Sequence, residues 1–108
     1  MAATSVKEVF GNLPGAFDPG AAAGLDTVIQ YEISGADGGN WFIAINDGTC
    51  DIHAGTHDSP AVTLKMPAAT WLAIANQETN GMNAYMSGQL QVSGDLLLAQ
   101  RIERLFPS

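Results

Sequence analysis

The chain has 108 residues, with eleven acids against four bases and a formal net charge of −7. No basic cluster offsets that field, so nucleic acid is excluded as a partner, and contact with an anionic membrane is at most transient. With 46% apolar and 14% charged residues, residues 1–108 read as one globular domain that buries about two thirds of its unfolded surface.

The opening stretch MAATSVKEVF has no basic segment leading into a long apolar run, so no secretory signal is read there. Val6, Val9, Phe10 and Leu13 recur at helical spacing. They predict a short amphipathic helix capped by Thr4 or Ser5 and stopped at Pro14-Gly15. Asp18 to Gly24 reads as a connection. Thr27 to Ser34 alternates, with Ile29, Tyr31 and Ile33 opposite Val28, Gln30 and Glu32, which predicts a strand. GADGGN is a hairpin loop, Trp41 to Ile45 a second strand, and Asp47-Gly48 a tight hairpin turn. A third strand turns Cys50 and Ile52 inward, and the loop GTHDSP leads to a fourth, marked by Val62 and Leu64. Pro67 suits the first turn of a helix bearing Trp71, Leu72 and Ile74. A short helix near Gly81 to Ser87 gathers Met82, Tyr85 and Met86 on one side.

The segment MSGQLQVSGDLLLAQRIERLF is the most informative. Gly88 and Gly94 bracket a fifth strand with Leu90 and Val92 opposite Gln89 and Gln91. Leu97, Leu98, Ile102, Leu105 and Phe106 then follow at helical spacing, with Asp95 at the helix start. The order α-β-β-β-β-α-α-β-α gives an α+β fold, a five-stranded, mostly antiparallel sheet with helices covering one face. Its other face carries Gln30, Glu32, Asp51, His53, Thr63, Lys65, Gln89 and Gln91 to solvent.

Chemistry-bearing groups are sparse. Cys50-x-x-His53-x-x-x-His57, with Asp51 and Asp58 nearby, has metal-ligand side chains, which a zinc-dependent enzyme would need. On a strand, however, Cys50 and His53 point to opposite faces, so no metal site is assigned and Asp51 with His53 reads as a solvated pair. Cys50 alone forms no internal disulfide, and its apolar strand face disfavours a nucleophilic thiolate. The glycine-rich segments Asn46-Asp47-Gly48 and Gly35 to Gly39 do not precede helices, so they are turns, not phosphate loops. Met82, Tyr85 and Met86, with Met66, form a soft patch that suits ligands of variable shape.

Three passages resemble the sterol carrier protein 2 family, in the right order and across nearly the whole chain. WFIAINDGTCDI looks like its second and third strands, HDSPAVTLKMPAATWLAIANQ like its strand-to-helix passage, and NGMNAYMSGQLQVSGDLLLAQRIERLF like its closing helix, strand and helix. The resemblance implies an apolar tunnel between sheet and helices and no catalytic residues, and no cofactor is expected. It implies a non-enzymatic lipid carrier taking a fatty acid, sterol, isoprenoid or related lipid. The scarcity of bases favours neutral or single-headgroup lipids over acyl-CoA. The expected tunnel has Ile43, Ile45, Ile52, Leu64 and Leu90 as floor, with Trp71 also in its lining. The last two helices form the roof, Met82, Tyr85 and Met86 from the first and Leu98, Ile102, Leu105 and Phe106 from the second. LFPS lacks a peroxisomal ending of the Ser-Lys-Leu kind, so a cytoplasmic location is expected. The alternative is a structural or interaction module that forms a homodimer or packs on a partner enzyme without carrying lipid.

Overall fold

The computed structural model describes residues 5–35 and 38–106. Helix α1 spans Val6–Ala16, and four strands follow: β1 Asp26–Ser34, β2 Gly39–Asn46, β3 Thr49–Ala54 and β4 Val62–Pro67. Helices α2 (Ala68–Ala75) and α3 (Gly81–Met86) lead to β5 (Gln91–Gly94) and α4 (Leu96–Leu105). The element order matches the sequence reading. The strands stand in the order β3-β2-β1-β4-β5, and the one parallel pair is β1 with β4. The sheet is therefore mixed, with its other three pairs antiparallel.

Local chemistry sets the ends of these elements. Ser5 caps α1 by accepting a bond from the Glu8 N–H at 3.1 Å, whereas Thr4 lies outside the described residues. The helix continues past Pro14 to Ala16, because a proline in the last turn removes only one amide bond there. Ala36 and Asp37 of the first hairpin loop also lie outside the described residues. Asp47 and Gly48 both have positive φ, 43° and 87°, as the primed hairpin turn requires. Pro67 ends β4 and takes the N-cap position of α2, one residue before the expected first turn. Asp95 caps α4 by accepting from the Leu98 N–H at 3.1 Å. At Gly94, φ is +100°, and a Cβ would stand 2.5 Å from the Ala61 carbonyl oxygen. Only glycine closes β5 against β4 there.

Strand alternation builds one continuous apolar face. Tyr31 pairs with Trp41 on β2 and with Leu64 on β4, which in turn pairs with Val92 on β5. Ile29 lies beside both Ile43 and Val62. Helices α1, α2 and α4 cover this face, burying Val6, Val9, Phe10, Trp71, Leu98 and Leu105 with the strand residues. Leu97, expected with the apolar stripe of α4, is 72% exposed.

The opposite face departs from expectation at Gln30, which is only 1% exposed. The β3–β4 connection crosses this face, and Gln30 holds it there. Its Nε2 donates to the carbonyls of Trp41 and Gly55, each at 3.1 Å, and its Oε1 accepts from the His57 N–H at 2.8 Å. That crossing places β4 parallel to β1. His53 and His57 both pack on Phe42, with ring centroids 5.2 and 5.3 Å apart. Nearby, Glu32 and Lys65 form an exposed ion pair at 4.0 Å, worth at most about 1 kcal/mol. Gln30→Leu is expected to cost about 1–3 kcal/mol, because the part-buried Gly55 carbonyl and His57 N–H lose the side chain that pairs with them. Urea unfolding reads this directly, and a loss below about 0.5 kcal/mol would contradict the pinning role.

Candidate functional site

A cleft of about 1070 Å³ lies between the sheet and the helices, over β1, β4 and β5. Its floor is the cross-strand row Tyr31, Leu64 and Val92, with Met66 and Leu90 alongside. Val9 and Leu13 of α1 and Trp71 and Ile74 of α2 form one wall. Leu96, Ala99, Ile102 and Phe106 form the wall on the α4 side. Met82, Tyr85 and Leu96 are about half exposed and mark where the cleft meets solvent. Polar residues of the lining include Asn12, Asn76, Gln77, Thr79, Asn80 and Gln100. Arg104, itself exposed, is the one charged lining residue among those described. A concavity whose floor and facing walls are largely apolar, with these polar residues also in its lining, suits a mostly hydrocarbon ligand.

An aromatic cluster backs the α1 wall. Phe10 stacks on Trp41 and on Trp71, each at 4.7 Å between centroids, and meets Tyr31 edge-on at 5.4 Å. The far end is closed by Phe17 against Phe106 at 5.5 Å, and by the Asp18 N–H donating to the Leu105 carbonyl at 2.8 Å. This ties the segment after α1 to the end of α4.

Of the expected lining residues, Leu64, Trp71, Met82, Tyr85, Leu90, Ile102 and Phe106 meet at the cleft. Ile43, Ile45 and Ile52 lie on β2 and β3, on the other side of β1, where α1 packs against β3. Leu98 and Leu105 point into the packed core, and Met86 is 77% exposed away from the lining. Tyr31, Val9, Leu13, Ile74, Val92, Leu96 and Ala99 line the cleft without having been singled out. Once Leu64 is chosen, the register delivers Tyr31 and Val92 as its neighbours, but only if β4 is known to sit between β1 and β5.

The Cys50, His53 and His57 group does not converge. Cys50 pairs with Ile45 and His53 with Phe42 along β2. Among the described residues, no three His, Cys, Asp or Glu side chains come together in a geometry that could hold a metal ion. The Asp51–His53 pair expected on the outer face gives way to the ring contact of His53 with Phe42. Burial, and then the Asp51 carboxylate, push the Cys50 thiol up from its ordinary value, which disfavours the nucleophilic thiolate.

The sequence model of the SCP-2 sterol transfer family matches residues 13–107. The chain is 26% identical over 102 residues to hydroxysteroid dehydrogenase-like protein 2 of Rattus norvegicus, covering 94% of this chain and 20% of that protein. With the Bos taurus relative of the same name the figures are 28% identity over 102 residues, 94% and 24%. The chain thus spans a quarter or less of the length of these curated relatives. Palmitated SCP2L2 of Aedes aegypti has a similar structure, with a TM-score of 0.78 at 26% identity, covering 97% of this chain and 96% of that one. The sec-alkylsulfatase Pisa1 of Pseudomonas sp. gives a TM-score of 0.78 at 19% identity, over 96% of this chain and 16% of that enzyme. This last likeness is one of fold alone.

Proposed function

The chain belongs to the SCP-2 sterol transfer family, a family of lipid-binding domains, and from that premise we propose that it is a carrier domain without catalytic chemistry. It holds one elongated, mostly apolar lipid, such as a fatty acid, a sterol or an isoprenoid-like molecule, in the cleft over β1, β4 and β5. The observation that carries this reading is the size and character of the cleft. About 1070 Å³ lined by Leu64, Met66, Leu90, Val92 and Ile102 is slightly larger than the ~300–1,000 Å³ usual for ligand sites. Lipid chains gain about 0.8 kcal/mol per methylene removed from water, partly offset by ordering of the chain. Met82 at the opening adapts to ligands of different width. No helix among the described residues is long and apolar enough to cross a membrane. In this reading, the domain loads from a lipid surface by transient contact, in the cytoplasm.

Titration of the delipidated protein with a fluorescent polyene fatty acid tests the proposal, because Trp71 on the cleft wall is an energy donor to a bound polyene. A saturable signal at one probe per chain, with Kd about micromolar or tighter and displacement by unlabelled lipid, is expected. A signal that never saturates overturns it. A second reading, an interaction module, draws on Met86 and Leu97, which are exposed outside the cleft. A dimer in light scattering whose size ignores added lipid would favour that reading.

A further inference from the structure

The floor of the cleft carries a polar group that the fold does not use. Tyr31 stands among apolar neighbours, with its ring against Phe10 and tilted on Trp71 at 4.9 Å, and the residue is 2% exposed. Among the described residues its hydroxyl has no hydrogen-bond partner. Nor is that hydroxyl sealed. The sealed, partnerless side-chain polar atom among the described residues is Trp71 Nε1. The small surface left to Tyr31 Oη therefore opens on the cleft that the residue lines. Because the cleft opens to solvent, water reaches this hydroxyl in the free protein, and a ligand that displaces the water loses its bond unless it brings a hydroxyl or carbonyl of its own. Burial holds the phenol far above its ordinary pKa, so it remains a neutral donor and acceptor.

We propose that the Tyr31 hydroxyl is the head-group site of the cleft, hydrogen-bonding the single uncharged polar end of a lipid, a hydroxyl or carbonyl, whose chain runs outward to Met82, Tyr85 and Leu96. This rests on the carrier reading and adds the ligand's orientation and class. Charge decides the class. A carboxylate at the floor would be desolvated without a cation, which is prohibitive. The charged lining residue, Arg104, is exposed. A fatty acid therefore pairs its carboxylate with Arg104 rather than with Tyr31, whereas neutral lipids with one polar end bind head inward.

Competition against the fluorescent probe tests this with cetyl alcohol, hexadecane and palmitate on the delipidated wild type, Tyr31→Phe and Arg104→Ala. Tyr31→Phe is expected to lower the affinity for the alcohol, relative to hexadecane, by about five- to tenfold. Arg104→Ala weakens palmitate relative to the alcohol. The ligand-free Tyr31→Phe protein stays folded and cooperative, since the change removes no hydrogen bond to a described residue. If the affinities for alcohol and hexadecane shift together, the head-group site is overturned. If no lipid displaces the probe from wild type, the carrier reading falls first and the head-group site with it.

Discussion

Replacing Ala99 with tryptophan is expected to lower lipid affinity about sixtyfold while the protein stays folded. Ala99 lies on α4, half-buried, on the cleft lining and outside the fully buried set. An indole there projects into space that a lipid chain would occupy. Denying burial to three methylenes costs about 2.4 kcal/mol, at about 0.8 kcal/mol each. The contrast is Leu98→Trp, one residue earlier. Leu98 is packed in the core and away from the lining, so that change overpacks the interior and costs about 1–3 kcal/mol of stability. Probe titration and thermal melting of the two variants separate the effects. Undiminished binding by Ala99→Trp would remove the ligand from this cleft.

Phe10→Ala is expected to cost about 3–5 kcal/mol of folding stability, a large fraction of the total for a domain of this size. Phe10 is 1% exposed and is the shared partner of Trp41, Trp71 and Tyr31. Truncation removes all three ring contacts and leaves a cavity where α1 meets both the sheet and α2. Urea unfolding measures the loss through a lower midpoint at unchanged slope. A loss below about 1 kcal/mol would mean that α1 is not anchored through this ring. The same variant should bind lipid more weakly, because α1 supplies Val9 and Leu13 to the cleft wall.

Most elements were legible because each carries a local signal. The alternation of Thr27 to Ser34, the Asp47-Gly48 turn and the Asp95 cap depend on neighbours within a few residues, and the structure has them in place. The strand order was not legible, because the β3–β4 crossing is held by Gln30, whose partners Gly55 and His57 lie 25 and 27 residues away in sequence. The same gap limited the site. Alternation marks Ile43, Ile45, Leu64 and Tyr31 alike as inward-facing. Which of them faces a void and which faces packed side chains depends on where α1 and α4 part. Leu64 and Tyr31 fall under the cleft, whereas Ile43 and Ile45 fall under packed core. On α4, Leu97 satisfies the apolar spacing yet stays in solvent, since the short β5 leaves little sheet beneath the start of the helix.

Native mass spectrometry of the delipidated protein, before and after exposure to a mixed panel of fatty acids, sterols, long-chain alcohols, isoprenoid quinones and acyl-CoAs, tests the central claim most directly. Retention of one lipid per chain is expected, drawn from the neutral and single-headgroup classes rather than from acyl-CoA. A chain that retains no lipid after the challenge would contradict it.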